Sequence, residues 1–139
     1  MTILYTDMVA DLFHYGHVEY LKNIALCKKD AEDKLFVGIH SDETARSYKR
    51  QPILTMEERI KVISCCKYID KIIADAPLQI TQEYIDLHHI DVVFIPANRT
   101  EAEMQLMVTV PQQLGIVRQI PYTQAISTTD IMRRAALNL

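Results

Sequence analysis

Two histidines flank a glycine in the segment "DLFHYGH", residues 11–17, which contains His14, Gly16 and His17. Imidazole N–H groups can donate hydrogen bonds to phosphate oxygens, and free backbone N–H groups at a helix N-terminus attract an anion. Gly16 lets the backbone approach a ligand closely. The spacing therefore suggests a phosphate site, with a helix cap beside a surface histidine, or a metal pair, as alternatives. For a metal pair, no further Cys, Asp or His stands at ligand spacing to complete the set.

A basic segment, "YKRQP" (48–52), precedes "TMEERI" (55–60). Lys49, Arg50 and Arg59 could reach one anionic ligand from a loop and from the helix that follows it. Taken without other signals, the same three cations are more typical of a solvated surface than of a ligand site.

Hydroxyl side chains open the last amphipathic segment, "ISTTDIMRR" (126–134). Ser127, Thr128 and Thr129 offer hydroxyl and backbone N–H groups to an anion, and Asp130 completes the S-x-x-D capping pattern. A simple helix cap is the alternative. His40, at the end of a predicted strand, is interpreted as a structural histidine with satisfied hydrogen bonds.

Short apolar runs alternate with amphipathic patterns along the chain, which is typical of an α/β fold built on a parallel sheet with right-handed crossovers. We therefore predict one domain, residues 1–139, with a doubly wound, five-stranded parallel sheet. Ligands of such sheets bind beyond the carboxyl ends of the strands, where the strand order reverses. The predicted strands are 2–9, 34–41, 68–74, 90–95 and 116–120, and the predicted helices are 17–29, 41–48, 55–66, 82–89, 100–114 and 127–136.

Composition narrows the class of protein. The 139 residues carry a net charge of −3, which argues against a general nucleic-acid or membrane surface. The three cysteines form no CxxC pair, and no leader or apolar run of about 18 residues is present, so we expect a cytoplasmic protein. GxGxxG and GxxxxGK[ST] are both absent, so any phosphate binding must use another device.

Taken together, the motifs resemble those of the cytidylyltransferases of the nucleotidyltransferase superfamily. The resemblance rests on an ordered set of matches that spans nearly the whole chain and is closest to phosphoethanolamine and glycerol-3-phosphate cytidylyltransferases. The matching stretches are "DLFHYGH" (11–17), "VGIHSDE" (37–43), Lys49 with "EER" (57–59), "CKYIDKII" (66–73) and "AISTTDI" (125–131).

The resemblance implies a Rossmann-like nucleotidyltransferase fold and transfer of a cytidylyl group from CTP to a phosphorylated alcohol, with release of pyrophosphate and with Mg²⁺ accompanying CTP. It implies that His14, His17 and Lys49 are catalytic, and that Lys49 and Leu78 contact the acceptor. It also implies a homodimer formed through residues 66–73. The implied nucleotide-binding residues are Val9, Ala10, His14, Gly16, His17, Arg59, Thr123, Ile126, Ser127, Thr128 and Thr129.

Several positions depart from the family pattern on the nucleotide side. Met8 and Ala10 replace a glycine and a phenylalanine, and "PAN" (96–98) replaces an acidic segment. Tyr122 and Ala125 also differ from the family's residues. An adenylyltransferase on the same fold, and a non-catalytic nucleotide-binding regulatory module, therefore stay as alternatives.

The acceptor is the second open choice. In choline-specific members an aromatic residue follows "AP", where this chain has Leu78. That difference favours phosphoethanolamine or a similar small aminoalkyl phosphate over phosphocholine. Glycerol 3-phosphate is the alternative acceptor.

Overall fold

A computed structural model describes residues 1–121 and 126–139 of the chain. It contains one five-stranded parallel sheet and the alternating helices that the sequence predicts. The strands are β1 (Ile3–Met8), β2 (Lys34–Ile39), β3 (Lys71–Ala74), β4 (Val92–Pro96) and β5 (Val117–Ile120). The helices are α1 (Tyr15–Ala25), α2 (Asp42–Tyr48), α3 (Met56–Ile63), α4 (Gln82–His88), α5 (Glu101–Gln113) and α6 (Thr128–Leu137).

The sheet has the strand order β3-β2-β1-β4-β5, so β1 lies at its centre. The chain builds outward from β1 to β3 on one side and then returns to add β4 and β5 on the other. β1 is paired along its whole length with β2, with Asp7 opposite Gly38 and Met8 opposite Ile39. The strand order reverses between β1 and β4, and the carboxyl ends of these two strands are where a ligand pocket is expected.

Each face of the sheet is covered by helices. Leu4 of β1 packs with Leu21 and Ile24 of α1 on one face, together with Ile63 of α3. Tyr5, the next residue, belongs to the cluster on the other face with side chains of α4 and α5. This alternation along a strand buried on both sides explains the near-continuous apolar run of β1.

Gly38 of β2 is required by packing. A Cβ atom at this position would lie 2.2 Å from the Tyr5 hydroxyl oxygen and 2.7 Å from the Ala76 Cβ. These contacts are shorter than van der Waals separation, so no larger residue fits without displacing the sheet.

Helix and strand boundaries differ from the predicted ones by a few residues. α1 begins at Tyr15 rather than at residue 17, because His14 serves as its N-cap. α3 begins at Met56, directly after its N-cap Thr55, and contains the predicted Thr55–Glu58 capping box, but it ends at Ile63, three residues early. α5 contains Pro111, and the non-helical backbone of Val108 marks a kink, since proline removes a backbone donor there.

None of the helices in the described ranges is long and apolar enough to cross a membrane.

Candidate active site

A pocket with a volume of about 550 Å³ opens at the carboxyl ends of β1 and β4. This volume is in the range of small-molecule sites. Most of the residues predicted to bind nucleotide line it. Those that come from the end of β1, the turn that follows and the start of α1 are Val9, Ala10, His14, Gly16 and His17; those that come from elsewhere are Lys49, Ser127, Thr128 and Thr129.

The turn between β1 and α1 has an unusual backbone. Ala10 and Leu12 adopt positive φ angles of 59° and 48°, a left-handed conformation that non-glycine residues rarely take. Such backbone persists only where surrounding contacts hold it, and it is concentrated at functional sites.

Asp11, between these two residues, supplies the contacts that hold the turn. Its carboxylate accepts hydrogen bonds from the backbone N–H groups of Ile53 (2.8 Å) and Leu54 (3.0 Å). Its backbone carbonyl accepts one from the Thr128 hydroxyl at 2.9 Å. One acidic residue thus joins the first turn, the basic loop and α6 around the pocket.

His14 and His17 form a reciprocal cap at the N-terminus of α1. His14 Nδ1 accepts a hydrogen bond from the Gly16 backbone N–H at 3.0 Å, and His17 Nδ1 accepts one from the His14 backbone N–H at 3.1 Å. Since both Nδ1 atoms are acceptors, the proton of each neutral ring lies on Nε2. The capping interpretation is therefore correct for His14, yet both rings also line the pocket.

The local environment keeps both rings neutral. Burial lowers the pKa of His14. Burial, reinforced by the neighbouring His14 and Lys49, lowers the pKa of His17 to about 3. At neutral pH the pocket thus contains two uncharged imidazoles, each able to donate from Nε2.

Gly16 allows the His14 ring to fold over the start of the helix. A Cβ atom at Gly16 would lie 2.8 Å from His14 Cε1 and 3.2 Å from Ile126 Cγ2. Ile126, predicted as a nucleotide contact, is buried behind this turn and is not among the residues that line the pocket.

The basic loop after α2 closes one side of the pocket. Lys49 lies 5.6 Å from the centre of the Tyr48 ring, and removal from water, followed by the positive charge of Arg99, lowers the Lys49 pKa. The Arg50 guanidinium donates to the Thr129 hydroxyl at 3.2 Å and links this loop to α6.

The N-terminus of α6 opens toward the same pocket. Ser127 caps the helix, with its hydroxyl accepting from the Asp130 backbone N–H at 3.1 Å. Both α1 and α6 therefore direct the positive ends of their dipoles to one cavity, which favours a multiply charged anion.

Arg59 is in a different place from the one predicted. Its side chain is fully buried, and it does not line the pocket. Its guanidinium donates to the carbonyl oxygens of Val9 (2.5 Å), His40 (2.9 Å) and Leu54 (3.1 Å), and to the Asp42 carboxylate at 2.6 Å. Arg59 lies on the side of α3 that faces the core, so it binds the strand ends together from behind instead of presenting its charge to a ligand.

Other predicted contacts also lie apart from the pocket. Leu78 packs against the cluster around Tyr5 and does not line the cavity. Of the segment 96–98, only Pro96 reaches the lining. Thr123, predicted as a nucleotide contact, lies outside the described residues, as do Tyr122 and Ala125.

The sequence interpretation missed Asp7. It lies at the carboxyl end of β1 and lines the pocket, although only 5% of its side chain is exposed. Its Oδ2 atom is buried without a hydrogen-bond partner among the described residues, and an Arg99 guanidinium nitrogen lies 3.7 Å from Oδ1. A carboxylate within an otherwise apolar strand was the available signal, because burial of an acidic residue normally requires a partner.

His40 is only partly a structural histidine. It is fully buried, and its Nδ1 is hydrogen-bonded to the Tyr48 hydroxyl at 2.7 Å. Its Nε2, however, has no partner among the described residues, so the expectation of satisfied hydrogen bonds is wrong for this atom.

A dedicated metal cage is not found in the ranges 1–121 and 126–139, where no group of three His, Cys, Asp or Glu side chains could hold an ion. Magnesium is commonly bound by substrate phosphates with few protein ligands.

Comparison with known proteins gives the family. Residues 6–134 match the family model described as cytidylyltransferase-like. The chain is 32% identical over 137 residues to an ethanolamine-phosphate cytidylyltransferase of Dictyostelium discoideum, covering 95% of this chain and 37% of that protein. It is 31% identical over 134 residues to choline-phosphate cytidylyltransferase 2 of Arabidopsis thaliana, covering 94% of this chain and 43% of the relative.

Among solved structures, the chain resembles a lipopolysaccharide core biosynthesis protein from Thermoplasma volcanium. The TM-score is 0.70 at 25% identity, covering 89% of this chain and 99% of that one. Because the match to the family model covers most of the chain and includes the histidine turn, the basic loop and the start of α6, the protein belongs to the cytidylyltransferase-like family.

Proposed function

We propose that this chain transfers the cytidylyl group of CTP to a small phosphorylated amino alcohol of the phosphoethanolamine type. The products are a CDP-alcohol and pyrophosphate. Family membership supports the transfer reaction, and the two relatives named above are called ethanolamine-phosphate and choline-phosphate cytidylyltransferases. The chain spans about two fifths of the length of these relatives, so its activity is a proposal.

The reaction requires positioning and charge stabilisation more than acid–base chemistry. An oxygen of the acceptor's phosphate attacks the α-phosphorus of CTP, and the bond from that phosphorus to the pyrophosphate oxygen breaks. The acceptor's phosphate is already anionic, so no protein base has to activate it. The main task of the protein is to align the two phosphates and to stabilise the charge that develops between them.

The pocket contains the groups that this task needs. Nε2–H donors of His14 and His17, the Lys49 ammonium and the N-termini of α1 and α6 surround one cavity. Neutral imidazole donors stabilise developing phosphate charge without the cost of burying further positive charge. Lys49 is the cation placed to bridge the nucleotide and the acceptor phosphate.

The observation that carries the choice of acceptor is the buried carboxylate of Asp7 in the same cavity. The carboxylate has no hydrogen bond at Oδ2 among the described residues and only a 3.7 Å ion pair with Arg99 at Oδ1, so an ammonium group entering the cavity could donate to it. A primary ammonium can donate hydrogen bonds to a carboxylate, whereas a quaternary ammonium cannot, and glycerol 3-phosphate has no cation at all. The geometry thus favours an aminoalkyl phosphate.

We propose that magnesium binds together with CTP. When bound to the triphosphate it would reduce the negative charge of the leaving pyrophosphate.

The test is pyrophosphate release from CTP or ATP with Mg²⁺ and each of three acceptors: phosphoethanolamine, phosphocholine and glycerol 3-phosphate. We expect the highest kcat/KM with CTP and phosphoethanolamine. Preferred turnover of glycerol 3-phosphate would remove the amino-alcohol assignment. Nucleotide binding with no turnover of any acceptor would instead indicate a regulatory module.

The nucleotide is tested separately by thermal unfolding, because Met8 and Pro96 line the pocket where the family pattern differs. A ligand at 100 times its dissociation constant stabilises a protein by about 2.7 kcal/mol, which is readily measured. We expect CTP with Mg²⁺ to raise Tm more than ATP with Mg²⁺. A rise in Tm with ATP but not with CTP would show that ATP is the nucleotide and would favour the adenylyltransferase alternative.

A further inference from the structure

Two buried side-chain polar atoms in the described ranges lack a hydrogen-bond partner, and they face each other. They are Asp7 Oδ2 and His40 Nε2, which lie 3.6 Å apart. His40 is fully buried, and 5% of the Asp7 side chain is exposed. Buried polar atoms are normally paired, so two neighbouring exceptions at the wall of a pocket call for a functional explanation.

The hydrogen bond on the other side of the His40 ring determines which nitrogen carries its proton. The Tyr48 hydroxyl lies 2.7 Å from His40 Nδ1. Were Nδ1 protonated, a lone pair on Nε2 would face the Asp7 carboxylate, which is repulsive. Burial, followed by the negative charge of Asp7, raises the Tyr48 pKa, so the phenol keeps its proton and donates it to Nδ1. The Nε2–H group therefore faces Asp7.

The backbone around His40 is held on both sides. The His40 N–H donates to the Met8 carbonyl oxygen at 3.1 Å, and the His40 carbonyl oxygen accepts from buried Arg59 at 2.9 Å. These contacts fix the His40 backbone, so a small movement of the Asp7 side chain or of the imidazole is enough to close the 3.6 Å gap. A hydrogen bond requires a separation of about 3.2 Å or less.

We propose that His40 is a positioning residue for Asp7 and thereby for the cationic end of the acceptor. When an aminoalkyl phosphate binds, a chain of hydrogen bonds forms from the Tyr48 hydroxyl through His40 to Asp7 Oδ2. His40 thus holds the carboxylate in one orientation, and the other carboxylate oxygen receives the ammonium from the pocket. This inference rests on the proposed function and adds that specificity for the amine depends on a residue that does not line the pocket.

Arg99 is the competing group. Its guanidinium lies 3.7 Å from Asp7 Oδ1, without a hydrogen bond at that distance. If the His40 Nε2–H donor is removed, Arg99 is the group that remains beside Asp7. Pairing with Arg99 is then the way to balance the buried carboxylate charge. The acceptor's ammonium then has to displace Arg99, so its affinity falls.

The test compares two substitutions at His40. His40→Leu removes the donor, whereas His40→Gln retains an amide N–H near the position of Nε2. A hydrogen bond to a charged group contributes about 1.5–3 kcal/mol, which corresponds to roughly 10- to 100-fold in affinity. For His40→Leu we expect KM for phosphoethanolamine to rise by that factor while KM for CTP changes less than about two-fold. His40→Gln should recover most of the loss.

A matched control separates this role from loss of packing. Tyr48→Phe removes the hydroxyl that fixes the His40 tautomer. Tyr84→Phe removes a similar hydroxyl, which lies 3.1 Å from the Tyr5 hydroxyl and does not line the pocket. Tyr48→Phe should raise KM for phosphoethanolamine, and Tyr84→Phe should not. Equal KM shifts for the acceptor and CTP, or no rescue by glutamine, would overturn the inference.

An NMR measurement on the wild-type chain covers the case in which a His40 variant fails to fold. The ¹⁵N resonances of His40 should show the Nε2–H tautomer, and phosphoethanolamine should shift them while glycerol 3-phosphate should not. An Nδ1–H tautomer would overturn the positioning role. If wild type uses phosphoethanolamine and His40→Leu has the same kinetics, this inference is wrong while the proposed function stands. If wild type uses glycerol 3-phosphate and not phosphoethanolamine, the proposed acceptor is wrong as well.

Discussion

At the scale of residues, each of the two histidines uses one ring nitrogen for a structural task and leaves the other nitrogen free for the chemical task that we propose. Nδ1 of each ring accepts a backbone hydrogen bond that caps α1, and Nε2 is left as a donor for the pocket. The cap and the phosphate site were alternatives in the sequence, and the structure shows why they are compatible. A helix cap also fixes the tautomer, so the same hydrogen bonds prepare the rings for binding an anion.

Substitutions of His17 test whether Nε2 or Nδ1 of its ring contributes to the reaction rate. His17→Ala should lower the rate on the order of 10²-fold, as removal of one charge-stabilising donor does in other enzymes. His17→Gln, whose amide nitrogen lies near the position of Nε2, should retain more activity than His17→Asn, which imitates Nδ1. Pyrophosphate-release kinetics and CTP calorimetry measure the two effects. Equal losses in CTP affinity and in rate would mean that His17 binds only the ground state.

At the scale of elements, Arg59 is the group that holds the carboxyl ends of β1 and β2 to the start of α3. Its donors reach Val9, His40 and Leu54, three segments that meet behind the pocket. A fully buried guanidinium is tolerated because each of its three nitrogen atoms donates to an acceptor. Arg59 would therefore affect nucleotide binding indirectly, by maintaining the shape of the pocket.

Removal of Arg59 should affect stability more than binding. Arg59→Met leaves buried carbonyl oxygens without donors, and breaking such a buried network typically costs about 3 kcal/mol or more. Urea unfolding measures this loss. Lys61→Met on the same helix is the matched control, since Lys61 forms an exposed pair with Glu57 and should change stability by less than about 0.5 kcal/mol. Unchanged stability of Arg59→Met with a raised KM for CTP would restore the predicted triphosphate contact.

At the scale of the whole molecule, the topology brings distant segments to one edge of the sheet. The pocket combines residues from the β1–α1 turn, the loop after α2, the end of β4 and the start of α6. β3 is an edge strand, at the side of the sheet opposite β5. The homodimer expected through residues 66–73 would use this edge, and it stays a prediction.

The dependence of stability on pH follows from His17. Its pKa is lowered from the ordinary value of 6.5 to about 3 in the folded chain. Below about pH 6.5 the unfolded chain therefore binds a proton that the folded chain does not, so stability falls as the pH decreases toward 3. The slope from one such group is at most about 1.4 kcal/mol per pH unit.

Urea unfolding of wild type and His17→Gln at about pH 7 and about pH 5 isolates this contribution, because other titrating groups are common to both proteins. Wild type should lose more stability between the two conditions than the variant. CTP should reduce the loss, since nearby phosphate charge favours the protonated imidazole. Equal losses in both proteins would show that His17 titrates normally in the folded state.

Features that depend on local order along the chain could be predicted from the amino-acid sequence. The Thr55–Glu58 capping box, the hydroxyl-rich start of α6 and the histidine turn are short-range patterns, and the structure has each at the predicted place. Alternating apolar runs were sufficient to predict the parallel α/β sheet, because a strand buried on both faces needs a continuous apolar run. Boundaries shifted where a cap, such as His14, belonged to both turn and helix.

Which of the charged residues faces the pocket depends on the packing of the helices and loops against the sheet. Lys49 and Arg59 are ten residues apart in the chain, but α3 turns Arg59 into the core while the loop leaves Lys49 at the cavity. Asp7 and His40 are far apart in the chain, and the pairing of β1 with β2 brings their buried atoms to 3.6 Å. Contacts across the sheet depend on how the elements pack, so the sequence could signal the buried carboxylate of Asp7 but not its pairing with His40.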